Sequence, residues 1–199
     1  SYVGLDLSLT GLRRSVRQAL RLVCGDADWL PFADGAFDAT LATYVLEHAV
    51  NPKRMLREMW RVVRPGGRVL LLGPSWDFPF WYPNALRSKA SSKRRRLGYA
   101  LSRLGGQLSG WWFGKLPFAT IEDPDALHHE FVYDADTVYV VWTYEVVEQM
   151  ERWGCRLVHW EVDDRLLGTN PLVRAGKRAL LRLPPYRFAG STVLLVFDR

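Results

Sequence analysis

A strand–helix–strand pattern between residues 25 and 73 constrains the fold of this chain more than any other feature. The segment reads GDADWLPFADGAFDATLATYVLEHAVNPKRMLREMWRVVRPGGRVLLLG. Its apolar runs at Phe37–Thr43 and Arg68–Leu72 have the composition of buried parallel strands. Between them, Asn51 and Pro52 form a typical helix start, and apolar residues recur at helical spacing after it. Parallel strands joined by a helix predict an α/β domain.

The same alternation continues on both sides of this segment. Further strands are expected at 2–6, 22–24, 156–162 and 191–197, and further helices at about 9–19, 143–153 and 172–183. Residues 74–130 break the rhythm with prolines, glycines and paired aromatics, so we expect an inserted lid there. The chain has 199 residues, 48% of them hydrophobic, which suffices for one domain spanning 1–199. The pattern predicts a doubly wound, mostly parallel sheet.

On these residues the chain resembles the class I S-adenosylmethionine-dependent methyltransferases, in the type 11 group that includes the ubiquinone and menaquinone methylases. The resemblance covers residues 2–73 well and residues 130–199 in outline. It implies a Rossmann-like methyltransferase fold and S-adenosyl-L-methionine as the cofactor. It also implies methyl transfer to a small-molecule or lipid-like acceptor, with the acceptor chosen by the 74–130 insertion.

One part of the family pattern is missing. The fold of this family opens with a strand and a Gly-rich loop, yet no two glycines here stand in a G-x-G spacing. The chain begins with Ser1, directly beside the strand that ends at Asp6. We therefore expect an N-terminally truncated domain, whose missing strand would lie between those ending at Asp6 and Thr43. The parent protein is expected to be an enzyme, and the fragment alone to bind the cofactor weakly.

Two aspartates follow predicted strands, where open parallel sheets bind their ligands. The resemblance assigns Asp6 to the ribose hydroxyls of the cofactor, since a carboxylate accepts two hydrogen bonds in fixed geometry. It assigns Asp26 to the exocyclic amine of adenine. The alternatives are a helix-capping acid at Asp6 and an ordinary Gly-Asp turn at Asp26.

The resemblance places six more residues around the cofactor. The backbone of Ala27 would contact the adenine edge, and Leu30 and Phe32 would form an apolar wall for the base. Thr43 and Tyr44 would lie near the methionine moiety, with His48 one helical turn later. We interpret His48 as part of the cofactor shell and not as a general base, although histidine titrates near neutrality. No catalytic residue is assigned.

Metal binding is not expected. His128-His129-Glu130 contains metal-ligand residue types, but adjacent side chains rarely converge on one ion, so a structural or substrate-pocket role is favoured. Cys24 and Cys155 lack metal-ligand spacing and are interpreted as reduced thiols of a cytoplasmic protein.

A basic block at residues 87–96 reads RSKASSKRRR and holds six cations and no acid, so it accounts for the whole net charge of +6. Leucines and aromatics follow up to Phe113, which leaves three interpretations open. The segment is a solvated part of a lid, a contact with the inner membrane surface or a lipid-like acceptor, or a nucleic-acid contact, the least favoured.

Two other functions stay open. A short-chain dehydrogenase would share the α/β pattern, but its Tyr-x-x-x-Lys pair is absent. A non-catalytic methyltransferase-like module would bind a membrane or a partner through the basic, aromatic insertion.

Overall fold

The computed structural model describes residues 2–15, 21–78, 81, 92–120, 138–163 and 171–199. The strands are β1 (Val3–Asp6), β2 (Arg21–Cys24), β3 (Phe37–Thr43), β4 (Val63–Pro74), β5 (Arg156–Val162) and β6 (Thr192–Asp198). The helices are α1 (Leu9–Ser15), α2 (Pro52–Val62), α3 (Lys93–Phe113), α4 (Thr143–Arg152) and α5 (Pro171–Leu180), with 3₁₀ turns at Leu46–His48 and Pro184–Tyr186.

The strands form two sheets. β1 and β2 pair in parallel, with Asp6 opposite Cys24. The larger sheet has the order β3-β4-β6-β5. β3 and β4 are parallel, whereas β6 runs antiparallel to both of its neighbours. Among the described residues no strand joins the two sheets.

The predicted α/β alternation is confirmed. Strands Phe37–Thr43 and Arg156–Val162 have the predicted bounds, and the Asn51 side chain caps α2 by accepting a hydrogen bond from the Arg54 N–H at 3.1 Å. The small sheet is parallel, and the larger sheet is mixed because β6 runs antiparallel to β4 and β5. β4 was predicted to begin at Arg68, but it begins at Val63, directly after α2.

The Pro65-Gly66-Gly67 stretch is part of β4 and bends it. Gly66 has φ +76° and its N–H donates to the Arg199 carbonyl at 2.7 Å. A Cβ on Gly67 would lie 2.5 Å from the Asp38 carbonyl oxygen of the neighbouring strand. The two glycines therefore allow β4 to approach both the chain end and β3 closely.

The core lies against the larger sheet. β6 alternates buried and half-buried residues, and β4 buries Val69 and Leu71. Helix α2 turns Met55, Leu56, Met59 and Val62 toward the core, as its spacing predicts. Helix α4 adds Val146, Val147 and Met150.

Helix α3 belongs to the predicted insertion and docks through one face. Its buried residues are Ala100, Arg103, Gln107 and Gly110. At Gly110 the helix approaches Trp142 so closely that a Cβ would lie 2.8 Å from the indole ring. The insertion is thus packed onto the domain, at least over α3.

Candidate functional site

The carboxyl ends of β1 and β2 bring the two predicted aspartates to one edge of the small sheet. Asp6 ends β1, and the Gly25 N–H donates to its carbonyl oxygen at 3.1 Å. Asp26 follows Gly25 directly. The parallel register therefore places both carboxylates where α/β folds bind nucleotides.

Both carboxylates are exposed and are oriented by local turns. Asp6 Oδ1 accepts the Ser8 N–H at 2.7 Å, and Asp26 Oδ1 accepts the Asp28 N–H at 2.8 Å. Ser8 caps α1 by accepting the Gly11 N–H at 3.0 Å. Within the described residues no hydrogen bond engages the second oxygen of either carboxylate, so each can accept a hydrogen bond from a ligand.

Two residues of α2 that sequence reasoning missed hold the loop after Asp26. Glu58 accepts the Leu30 N–H at 2.9 Å. Arg61 donates to the carbonyls of Leu30 and Phe32, at 3.0 and 2.8 Å, and pairs with Glu58 at 2.8 Å. The Arg61 hydrogen bond lowers the pKa of Glu58. The Glu58–Arg61 spacing on a helix was the available signal, but it is indistinguishable from an ordinary surface pair.

The predicted adenine contacts lie on this same loop. Ala27 packs against the core and Leu30 is half-buried. Asp28 lies next to them. Burial raises the pKa of its carboxyl, and the negative charge of Asp26 raises this pKa further. Phe32 packs edge-on against Phe37, with ring centroids 4.9 Å apart, at the amino end of β3. The structure therefore brings Ala27 near Asp26 but gives Phe32 a packing contact at the opposite end of β3 from Thr43.

Thr43 and Tyr44 form the carboxyl end of β3. Tyr44 has φ +52°, which is uncommon for a residue with a side chain. Its N–H donates to the Leu72 carbonyl at 2.7 Å, and its hydroxyl lies 3.2 Å from the Thr192 hydroxyl. Left-handed backbone of this kind clusters at functional sites, and here the neighbouring strands hold it.

His48 lies in the 3₁₀ turn that follows. Its Nε2 is 3.9 Å from Oε1 of Glu47, and the imidazole is about one-third exposed, whereas Glu47 is buried. Glu47 lines a small cavity with apolar residues of β3, β4, β6 and α4. The Glu47 carbonyl also accepts the N–H groups of Val138 and Tyr139, at 2.8 and 2.9 Å. These two hydrogen bonds therefore hold in place the turn that carries His48.

A buried polar cluster lies just beyond the carboxyl end of β4, and no sequence pattern indicated it. Asp77 Oδ1 accepts the Ser75 hydroxyl at 2.9 Å and the Thr143 N–H at 2.8 Å. Oδ2 of Asp77 is buried without a hydrogen-bond partner among the described residues. Burial raises the pKa of Asp77 to about 6.

Helix α3 closes over this cluster. Arg103 donates to the carbonyls of Trp76, Phe78 and Trp81, the last at 2.9 Å. One turn later, Gln107 donates to the Asp77 carbonyl at 2.6 Å. The insertion is therefore attached to the chain segment that follows the carboxyl end of β4.

A second buried carboxylate lies nearby. Glu145 accepts the Tyr139 hydroxyl at 2.6 Å and the Phe118 N–H at 2.7 Å. Burial raises the pKa of Glu145 to about 7. Burial also raises the pKa of Tyr139 well above its usual value. Burial also lowers the pKa of Arg103.

No group of metal-ligating side chains occurs in the part of the chain that the structure describes. His128, His129 and Glu130 lie outside the described residues. The same part of the chain contains no helix long and apolar enough to cross a membrane.

Comparison with known proteins agrees with this geometry. Residues 1–71 match the family described as "Methyltransferase domain". This segment contains every predicted cofactor contact. The demethylmenaquinone methyltransferase of Paenarthrobacter aurescens is 41% identical over 71 residues, 35% of this chain and 28% of that protein. The enzyme of the same name from Mycolicibacterium vanbaalenii is 44% identical over 69 residues, 35% of this chain and 30% of that protein.

Over residues 1–71, this chain is therefore similar to methyltransferases. The aligned segment spans under a third of the length of those two relatives. An S-adenosylmethionine-dependent methyltransferase from Mesorhizobium loti shares the fold, with TM-score 0.58, 17% identity, and coverage of 100% of this chain and 81% of that one. The cyclase SpnF also shares it, with TM-score 0.50, 14% identity, and coverage of 99% and 65%. The methyltransferase fold alone therefore does not define the reaction.

Proposed function

We propose that this chain is part of an S-adenosylmethionine-dependent methyltransferase that acts on a small, lipid-like acceptor. The observation that carries the proposal is the pair Asp6 and Asp26 at adjacent strand ends, inside the segment that matches the family. Each carboxylate has one oxygen held by a backbone N–H and a second oxygen open to a ligand. This suits ribose hydroxyls and an adenine amine, which both donate hydrogen bonds.

In this proposal the cofactor supplies a methyl group on a sulfonium. Residues of the chain bind the nucleoside through Asp6, Asp26 and Ala27 and position the acceptor relative to the methyl. Thr43, Tyr44 and His48 would face the methionine part of the cofactor from the end of β3. Holding the two reactants in line accounts for much of the rate in transfers of this type.

The acceptor is proposed from two observations. The relatives in the aligned segment are named as demethylmenaquinone methyltransferases, so their printed substrate is a quinone with a lipid tail. Helix α3 of this chain also exposes apolar side chains beside a cationic first turn. We therefore propose a lipid-like acceptor that reaches the site from a membrane surface contacted by residues 87–113.

Asp6→Ala should weaken S-adenosylmethionine binding by the protein expressed with its upstream coding sequence. Losing a charged hydrogen-bond acceptor removes about 1.5–3 kcal/mol, or roughly ten- to hundredfold in affinity. Calorimetric titration measures this directly. Asp38→Ala is the matched control, because Asp38 is an exposed carboxylate near the amino end of β3; it should bind the cofactor like the wild type.

Asp6→Asn separates the ribose role from the local turn before α1. Its amide oxygen can still accept the Ser8 N–H, but its NH₂ group cannot accept a ribose hydroxyl. We expect a loss close to that of Asp6→Ala. Wild-type affinity in Asp6→Asn would show that Asp6 only orients the turn before α1.

The 199-residue chain alone should bind S-adenosylmethionine far more weakly than the protein extended upstream. We propose that an upstream strand and Gly-rich loop occupy the space between β1 and β3. In support, Leu41 of β3 is 57% exposed although its strand belongs to the larger sheet. Calorimetry on both proteins tests this, and single-digit micromolar affinity of the 199-residue chain would refute it.

A second candidate function is a non-catalytic methyltransferase-like module. The observation that favours it is the exposed apolar and cationic surface of α3, which would bind a membrane or a partner without cofactor. The two candidates differ in cofactor binding by the extended protein: an enzyme binds S-adenosylmethionine, and a module that acts only through α3 does not.

A further inference from the structure

Helix α3 has two faces, and among the described residues only one of them packs against the domain. Ala100, Arg103, Gln107 and Gly110 are buried. Four large apolar residues on the helix are exposed by 41 to 70%: Leu97, Leu101, Leu108 and Trp112. At 100° per residue these four project within about 60° of arc, well away from the buried face. We call Leu97, Leu101, Leu108 and Trp112 the apolar stripe.

The apolar stripe does not include every large apolar residue of α3. Leu104 and Trp111 would belong to an apolar face by composition, but both are half-buried in the structure. Gly98 and Gly105 lie between the stripe residues, and a Cβ on either would meet nothing within 4 Å. The exposed face is therefore open over the length of the 21-residue helix, roughly 30 Å.

The charges on α3 indicate what kind of partner would cover its exposed face. Lys93, Arg94, Arg95 and Arg96 form the first turn and are exposed. The helix sequence KRRRLGYALSRLGGQLSGWWF contains no acidic residue. At the other end, Trp112 is 70% and Phe113 77% exposed. Cations beside an exposed apolar stripe complement anionic headgroups over acyl chains, and Trp favours that boundary.

We infer that α3 is a membrane-docking helix that lies on an anionic bilayer with its apolar stripe inserted and its first turn on the headgroups. Arg103 and Gln107 attach this helix to residues 76–81 at the carboxyl edge of β4. Docking would thus bring the carboxyl end of β4, in the larger sheet, to the lipid surface. The membrane contact in the proposed function rests on this surface, but lipid binding can be measured without cofactor or acceptor.

The test is co-sedimentation of the 199-residue chain with vesicles of phosphatidylglycerol and phosphatidylcholine, and with phosphatidylcholine alone. We expect binding that needs phosphatidylglycerol, weakens as salt rises and shifts tryptophan emission to the blue. Lys93→Gln/Arg94→Gln/Arg95→Gln should weaken binding roughly a hundredfold, because each cation near an anionic surface contributes about fivefold. The matched control Arg13→Gln/Lys53→Gln/Arg182→Gln removes the same charge from exposed positions outside α3 and should change binding little.

A second pair of variants tests the stripe. Leu101→Gln/Leu108→Gln should reduce vesicle binding at least about tenfold, whereas Leu180→Gln/Leu183→Gln, at equally exposed leucines outside α3, should not. Glutamine preserves helix propensity, and all four positions are exposed, so the variants should melt like the wild type.

Three results would overturn the inference. One is an equal effect of the control variants. Another is binding to RNA as strong as binding to anionic vesicles. The last is a dimer in sedimentation equilibrium that dissociates in Leu101→Gln/Leu108→Gln while vesicles are not bound, which would make a second copy the occupant. Cofactor binding measured on the same samples is independent, so a failure of the proposed function would remain distinguishable.

Discussion

Arg103→Met should destabilise the protein by about 3–5 kcal/mol, because it leaves several buried carbonyl groups without their charged donor. Arg103 is buried and donates to three carbonyl groups, those of Trp76, Phe78 and Trp81. Methionine fills a similar volume but donates nothing, so these carbonyls lose their donor at a cost of about 1–3 kcal/mol for each one that stays buried. Urea unfolding followed by circular dichroism measures the loss.

Arg95→Met is the control on the same helix. Arg95 is exposed in the first turn of α3, so its replacement should change stability by less than about 0.5 kcal/mol. Limited proteolysis adds a local measurement, because an α3 released from residues 76–81 should be cut faster in Arg103→Met. A loss below about 1 kcal/mol, with unchanged proteolysis, would show that Arg103 does not hold the insertion in place.

The features of the fold that local sequence encodes were predicted well. The spacing of Met55, Leu56 and Met59 indicates the buried face of α2, and Asn51 marks its first turn. β3 has the predicted bounds, Phe37–Thr43, and the Ala33-Asp34-Gly35 turn marks its start. Each of these signals comes from residues close in sequence, so no tertiary contact is needed to interpret it.

The features set by distant contacts could not be predicted. The direction of β6 depends on its pairing with β4 and β5, and an apolar run such as Thr192–Asp198 reads the same in either direction. In the sequence, Arg103 cannot be distinguished from the exposed cations of a basic, amphipathic segment. Its burial becomes visible only once residues 76–81 supply carbonyls to it.

The same distinction between local and distant signals applies to the residues of the candidate site. Asp6 and Asp26 could be proposed from the sequence because each lies at or just after the end of a strand, and strand ends can be recognised locally. Asp77 was missed because it follows β4 within a stretch of aromatics and prolines, where a turn is the default interpretation. Its partners Ser75 and Thr143 are 68 residues apart in the chain. A buried carboxylate assembled over such a distance leaves no local signature.

Asp77→Asn should raise the free energy of unfolding at pH 7.5 by about 2–3 kcal/mol, and the gain should vanish near pH 4. Burial raises the pKa of Asp77 from 3.8 to about 6 and outweighs the charge of Arg103. The unfolded chain therefore releases this proton first as pH rises, so wild-type stability falls between about pH 4 and 6, by about 1.4 kcal/mol per pH unit. Asparagine stays neutral, and its Oδ1 can keep both hydrogen bonds while its NH₂ takes the place of the unpartnered Oδ2.

Urea unfolding of both proteins from pH 4 to 8 tests this, and the difference between them isolates Asp77, because Glu145 titrates in both. Asp38→Asn is the control of opposite sign, since the Arg64 hydrogen bond lowers the pKa of Asp38, and so it should not stabilise the protein at pH 7.5. A difference between Asp77→Asn and wild type that does not change with pH would mean that Asp77 keeps an ordinary pKa in the fold. The carboxylate would then stay ionised beside Arg103 down to about pH 4, instead of taking up a proton near pH 6.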